Sequence, residues 1–423
     1  MTINKKENIA TITKKTKLMQ AEIPRETLAD SAEDYSSDIL KQLNREAKEQ
    51  VAYNLGAEDA PTNIKRWIST GSVLLDYVIA NRKGGGLPEG RIVEIQGPPS
   101  TGKSHIMFEI AKSTQRLGGV VAYIDTENAT SPENLKALGL NVSKNFIFIQ
   151  SNCTEDCFKF AESIIMKARE IKKDIPVTII WDSVAGCSPK AELEGEYEDN
   201  SIGLQARVLS KGMRKISNVI ANQKVLFVIV NQQRTKIGVM YGNPMTTPGG
   251  MAIPYAASVR LEISAGSPIK TTTDGKEEVT GISVKVKTIK NKTARPFRAA
   301  HLDIIYGKGV VDDEHVFDVL RQHCEKGPVK ALGKRLSIEG TSGNKTFNIT
   351  DDSTGEVETV KFYKSTFREK VLNVPEYKKY IDEMIDDAMV IRPEELAHIS
   401  LTPVDLNDEE VRKGLVERKE DEE

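Results

Sequence analysis

The sequence predicts an α/β fold: a mostly parallel twisted sheet with helices on both faces, an antiparallel extension, an N-terminal helical arm and a small C-terminal α+β domain. Three observations predict it. Between Arg91 and Asn231 short apolar runs alternate with longer amphipathic stretches, the order that crossover connections between parallel strands require. Runs such as VTIIWD and VLFVIV are apolar throughout, as strands buried on both faces are. After Ser258 the pattern changes to alternating apolar and polar residues, which suits antiparallel strands.

Residues 1 to about 35 are polar and patternless, the composition of a mobile segment. A helix is expected from Ser36, capped by Ser36 or Ser37, with Ile39, Leu40, Leu43, Ala47 and Val51 at helical spacing before Gly56. It packs either on its own domain or, as an arm, on a neighbouring subunit. Strands follow at Arg91–Gln96, Gly119–Asp125, Phe146–Ile149, Val177–Asp182 and Lys224–Asn231. Helices fall at Lys103–Leu117, Glu155–Ile171 and Gly203–Asn222. Ser258–Ile263, Ile282–Lys290 and Ala300–Tyr306 are the antiparallel strands. Beyond a boundary at Gly307–Val311, a helix at Asp313–Cys324, the strands TFNIT and ETVKFY and a helix near Glu376–Met389 read as α+β. The domains are therefore placed at 1–60 (tail and arm), 61–310 (core), 311–405 (α+β) and 406–423, an acidic tail read as solvated.

At 423 residues, two or three domains are expected. The 39% hydrophobic and 28% charged content are ordinary for a globular protein. No stretch approaches the roughly 20 apolar residues of a membrane span, and the N-terminus lacks the apolar run of a secretory signal, so a cytoplasmic protein without a membrane partner is expected. Four cysteines make no disulfide framework. Cys153 and Cys157 could share a helix face, but a metal site would need two further ligands, and ordinary reduced thiols are expected. A net charge of −2 argues against a whole-surface nucleic-acid binder while leaving room for a local basic groove.

The sharpest chemical signal is Gly97-Pro98-Pro99-Ser100-Thr101-Gly102-Lys103-Ser104. It fits G-x-x-x-x-G-K-S/T between a strand and a helix, the context of a phosphate-binding loop. Its backbone N–H groups and the helix N-terminus favour phosphate. Lys103 is placed to reach the terminal phosphates and Ser104 to ligate magnesium. Asp182 ends a buried strand where a carboxylate can hold magnesium, with a capping role as the plain alternative. Glu127 lies two residues past the strand ending at Asp125 and is better placed than Asp125 to polarise an attacking water. These residues predict ATP hydrolysis with Mg2+. The strand Val225–Val230 ends in Asn231-Gln232-Gln233-Arg234, and an amide at such a strand end can sense a γ-phosphate beside it. The Gly- and Thr-rich segment that follows could serve DNA or be plain surface, with Lys236 for phosphates and Ile237, Val239 and Met240 as wedges between bases. Glu194–Gly203 is a second loop. Behind it Arg207, Lys211 and Arg214 share one side of a helix, either a solvated face or a phosphate-tracking one.

Taken in order, LPEGRIVEIQGPPSTGKS, AYIDTEN, IIWDSVAGCSPKAELEGE, GLQARVLSKGMRKI, NQQRTKIGVMYGNP, TTPGG and VKTIKNKTARPF resemble the bacterial RecA-type recombinases over roughly residues 66 to 310. The resemblance implies a RecA-like ATPase core and an ATP-dependent homo-oligomeric helical filament on single-stranded DNA that pairs it with homologous duplex and exchanges strands. A loading mediator or single-strand-binding protein is implied as a further partner. By position, Glu127 corresponds to the catalytic glutamate, Asp182 to the second magnesium motif and Gln232 to the γ-phosphate sensor. Ile202, Gly203, Arg207, Ser210, Arg214, Lys236, Gly249 and Gly250 correspond to DNA contacts, and Ile237 to the residue separating base triplets. Lys290 and Lys292 correspond to lysines reaching a neighbour's ATP. Asn134 stands where relatives stack a tyrosine on adenine. Met245, Pro248, Pro254, Tyr255 and the longer turn Asn81-Arg82-Lys83 also depart from the pattern. They point to a divergent member of bacteriophage type, which would work in the host cytoplasm. Two other classes share the core fold: a ring-forming ATPase or helicase, which would be expected to carry a helicase-specific domain, and a non-catalytic mediator, which need not keep the whole hydrolytic set.

Overall fold

A computed structural model describes residues 35–48, 50–56, 60, 62–128, 130–196, 203–235, 245–273, 276–340 and 343–392. They fall into two units, one ending at Asn63 and one beginning at Ile64. In the first, a helix spans Ser36–Ala47 with no buried residue, and Ile39 and Leu43 are exposed. Its N-cap position is Tyr35, with no side-chain capping bond, so neither serine occupies the cap. It stops at a left-handed Lys48 instead of running on towards Gly56. Asn44 supplies the reason: its Oδ1 accepts the N–H groups of Val51 and Ala52, each at 2.8 Å, and its Nδ2 donates to the Ala52 carbonyl. The backbone after the helix is thereby turned back.

In the second unit β1 (Trp67–Ile68) pairs with β2 (Leu87–Pro88). The main sheet contains β3 (Ile92–Gly97), β4 (Val120–Asp125), β5 (Phe146–Gln150), β6 (Val177–Asp182) and β7 (Leu226–Gln232). A short pair, β8 (Arg234–Thr235) and β9 (Met245–Thr246), stands apart. The main sheet continues with β10 (Val259–Thr273), β11 (Lys276–Asn291), β12 (Ala299–Ile305) and β13 (Gly309–Val311). Its order is β13-β12-β11-β10-β3-β7-β6-β4-β5, parallel from β10 to β5 and antiparallel from β10 to β13.

The continuous apolar runs follow from burial on both faces. Ile179 and Trp181 of β6 join a core under the helices Thr154–Ile171 and Leu204–Asn222, while Ile180 joins the core under Val73–Ala80 and Lys103–Arg116. β10 and β11 form a hairpin far longer than their alternation indicates, because register shifts near Arg260, Ala265 and Ile269 interrupt the two-residue period. Beyond β13 the helix Asp313–Cys324 leads into β14 (Val329–Ala331), β15 (Lys334–Glu339), β16 (Lys345–Asp351) and β17 (Val357–Phe362), an antiparallel sheet in that order, then the helix Pro375–Met389. The cores are continuous across this change of architecture, since Leu336 and Phe347 belong to the same apolar cluster as Ile304 and Val93. Asp312 fastens the junction by accepting from the Ser72 hydroxyl at 2.7 Å and the Leu74 N–H at 3.1 Å, at the start of the helix Val73–Ala80. Among the described residues no helix is long and apolar enough to cross a membrane.

Candidate active site

β3, β4, β6 and β7 lie side by side and parallel, so their carboxyl ends open on one edge of the sheet, where such sheets bind ligands. A cavity of about 450 Å³ lies there, lined by Pro99, Ser100, Thr101, Gly102, Lys103, Ser104, Glu127, Asp182 and Gln232 among others. The loop from Gly97 feeds directly into the helix Lys103–Arg116. Gly102 is its N-cap at φ +81, and a Cβ there would lie 2.0 Å from Ile304 Cδ1, so glycine is required by both backbone and space. Lys103 Nζ curls back to the carbonyls of Gly97 at 3.1 Å and Pro98 at 2.6 Å. Burial holds its ammonium below the usual lysine range.

Ser104 Oγ donates to Asp182 Oδ2 at 3.3 Å, which puts a hydroxyl and a carboxylate side by side at the helix start. Tyr123 OH donates to the same oxygen at 2.6 Å. Burial pushes Asp182 above the usual carboxylate range and the nearby Glu127 adds to the rise, while the bonds from Tyr123 and Ser104 oppose it. The Asp182–Ser183 peptide is cis.

Glu127 Oε1 accepts from Gln232 Nε2 at 2.6 Å and from Ser183 Oγ at 2.5 Å. Asp125 is occupied otherwise. Its oxygens take the N–H groups of Glu127, Asn128 and Thr130, a turn that presents Glu127 to the cavity and separates the roles of the two carboxylates.

The residues expected to meet DNA lie on two elements. Arg207, Lys211 and Arg214 are exposed on the helix Leu204–Asn222, while Leu209, Met213, Ile216 and Ile220 bury its other side. Ser210 is half-buried, and Gly203 is the helix N-cap. Gly249 and Gly250 approach this helix closely at Leu209 and Ala206. Ile202, Lys236 and Ile237 lie outside the described residues, as do Val239 and Met240. Lys290 is not at the cavity: its Nζ donates to the carbonyls of Pro254 at 2.7 Å and Tyr255 at 3.0 Å. Lys292 is exposed just past the end of β11.

Sequence reasoning overlooked Tyr123, Ser183, His105 and Tyr306. Tyr123 carried a signal, since a phenol inside a fully buried strand needs a hydrogen-bond partner. Tyr306 is 53% exposed, lines the cavity, and lies 6.3 Å from the His105 ring between centroids. Nothing local to its sequence indicates that position. Asn134 lines a smaller adjoining cavity of about 140 Å³ with Ser104, Tyr123 and Glu127.

A glycine-rich strand-to-helix loop, a hydroxyl–carboxylate pair and a glutamate fixed by an amide, all on one parallel-sheet edge, define a P-loop nucleotide-binding protein of α/β class. Residues 36–311 match the model of the RecA N-terminal domain. The chain is 38% identical to Protein RecA of Symbiobacterium thermophilum over 291 residues, covering 69% of this chain and 79% of that one. It is 39% identical to Protein RecA of Lactobacillus acidophilus over 280 residues, 66% and 73% of the two chains. With Protein RecA of Lactococcus lactis subsp. cremoris the identity is 33% over 396 residues, 93% and 92%. The chain belongs to the RecA family, and its function is that of a RecA-type recombinase.

Proposed function

We propose that this chain couples ATP hydrolysis to the binding of single-stranded DNA in a homo-oligomeric helical filament that exchanges the strand with homologous duplex. The observation that supports the nucleotide half best is the single cavity shared by Lys103, Ser104, Glu127, Asp182 and Gln232. In this reading the backbone of Gly97–Ser104 and the helix N-terminus cradle the phosphates. Lys103 exchanges its two loop carbonyls for the terminal phosphate oxygens. Ser104 and Asp182 form a hard oxygen pair suited to magnesium. The bound ion would offset phosphate charge during transfer.

Glu127 orients and deprotonates the attacking water. Gln232 spends its amide on Glu127, so a γ-phosphate competing for that amide changes the position of the strand end. The exposed face of Tyr306 serves the adenine in place of the tyrosine that Asn134 replaces. Ile202, Gly203, Arg207, Ser210, Arg214, Lys236, Ile237, Gly249 and Gly250 form the DNA surface, and Lys290 and Lys292 reach a neighbour's nucleotide. A loading mediator or single-strand-binding protein would act in the same compartment, the cytoplasm.

The test is ATP hydrolysis by purified protein with no DNA, single-stranded DNA or duplex, with Lys103→Ala as control. Stimulation by single strands and loss of turnover in Lys103→Ala are expected. Hydrolysis indifferent to DNA would remove the coupling, and near-normal turnover in Lys103→Ala would remove the assigned site.

A further inference from the structure

Gln232 has a buried neighbour with a different set of contacts. Asn231 is fully buried on β7, and strand alternation turns its side chain to the opposite face from Gln232. Its Nδ2 donates to Glu94 Oε1 at 3.1 Å and to the Pro248 carbonyl at 3.3 Å. Both partners are acceptors, so only the NH2 end of the amide can face them. Its Oδ1 has no partner among the described residues, so the amide is held from its donor side alone.

Glu94 is fixed in turn. It is fully buried on β3, and its Oε2 pairs with Arg260 Nε of β10 at 2.5 Å, while Arg260 Nη2 donates to Gln96 Oε1 at 3.0 Å. Three adjacent strands are thus fastened together, with one amide proton left for a carbonyl outside the sheet. Pro248 immediately precedes Gly249, whose left-handed backbone seats it so close to the helix Leu204–Asn222 that a Cβ would lie 2.5 Å from Leu209 Cδ1. That helix carries Arg207, Lys211 and Arg214.

We propose that Asn231 is a positioning residue that couples the nucleotide cavity to the DNA surface. Through Glu94 it is tied to the sheet, through Pro248 to the segment seated on the basic helix, and through the adjoining Gln232 to Glu127. Displacement of the strand end moves both amides at once. A change read by Gln232 on one face is delivered by Asn231 to Pro248 on the other. The inference rests on the function proposed above and assigns the link within it.

The test measures the affinity of a fluorescent single-stranded oligonucleotide with and without a non-hydrolysable ATP analogue and magnesium, by anisotropy. The ratio of the two affinities is the coupling. In Asn231→Ala, and in Asn231→Asp, which sets an oxygen against two acceptors, the ratio is expected to fall by about tenfold. Nucleotide affinity measured directly should stay within about twofold of wild type, since Asn231 touches no cavity group. The double variant with Gln232→Ala should be no worse than either single variant. A wild-type ratio in folded Asn231→Ala would overturn the proposal. So would an equal loss of nucleotide affinity, which would mark a purely structural role. A wild-type protein with a ratio of one would instead overturn the function on which it rests.

Discussion

Asp182 receives two hydroxyls on one oxygen, Tyr123 at 2.6 Å and Ser104 at 3.3 Å. The shorter bond comes from a ring that is 1% exposed and stacked with Phe148 at 6.5 Å between centroids. Tyr123 is therefore the more constrained of the two, which leaves Ser104 to turn towards the proposed magnesium. A hydrogen bond to a charged group contributes about 1.5–3 kcal/mol, and replacing tyrosine by phenylalanine deletes it without emptying the core. Tyr123→Phe is expected to raise the magnesium concentration for half-maximal binding of a fluorescent ADP analogue by about tenfold, with a melting temperature lowered by a few degrees and the chain still folded. An unchanged magnesium requirement would show that Asp182 is oriented by the backbone alone.

Among the elements, the helix Leu204–Asn222 divides its labour cleanly. Leu209, Met213, Ile216 and Ile220 anchor it, and Gly212 admits the Phe158 ring, which would come within 2.2 Å of a Cβ. Arg207, Lys211 and Arg214 face outward. Lys215 is different, pairing with Glu162 at 2.6 Å, which leaves it less available to phosphate. Each phosphate contact to a single strand adds about 0.7 to the slope of log affinity against log salt. Arg207→Ala and Arg214→Ala should each weaken single-strand binding and lower that slope by about 0.7, whereas Lys215→Ala should leave it unaltered. Equal slopes in all three variants would return the face to plain solvated surface.

Across the whole molecule, two lysines and one carboxyl make separable claims. Lys290 closes the end of the short helix Ala252–Ala256 through two carbonyls, so its removal also perturbs that helix. Lys292 is exposed, and Lys292→Ala is the cleaner probe of a contact between subunits. DNA-stimulated hydrolysis should be lost with the melting temperature of the unassembled chain unchanged; normal hydrolysis would remove the cross-subunit role. Asp76, at the junction of core and C-terminal sheet, is pushed up to about 7 by burial, with the neighbouring Asp312 adding to the rise and hydrogen bonds from Ser69 and Thr70 opposing it. A carboxyl raised in the folded state favours the protonated fold. Its stabilisation is complete below the unfolded value near 4 and is lost as pH rises through about 7. Asp76→Asn should therefore gain in melting temperature relative to wild type as pH rises from about 4 to about 7, on top of a constant offset from altered hydrogen bonds. Parallel curves for the two proteins would show that Asp76 does not govern this dependence.

The sequence by itself determined the parallel core, because Ile179, Ile180 and Trp181 must all be apolar when both faces of β6 are covered. It also placed the residues proposed for the central chemistry. The Gly97–Ser104 loop, Glu127, Asp182 and Gln232 each sit at or just past a strand end, where local pattern and chemistry coincide. Shorter-range signals failed where they were interrupted. β14 and β15 are three and six residues long, parted by the left-handed turn Leu332-Gly333, and bulges broke the alternation of β10 and β11. Only the tertiary structure decided which side chains support the site. Tyr123 meets Asp182 from 59 positions away, and Glu94 meets Asn231 from 137. Tyr306 reaches the cavity because the antiparallel strands add to β3 through β10. Period and composition record which residues leave water. They do not record which strand lies beside which, and hydrogen-bond partners across a sheet are chosen by that order.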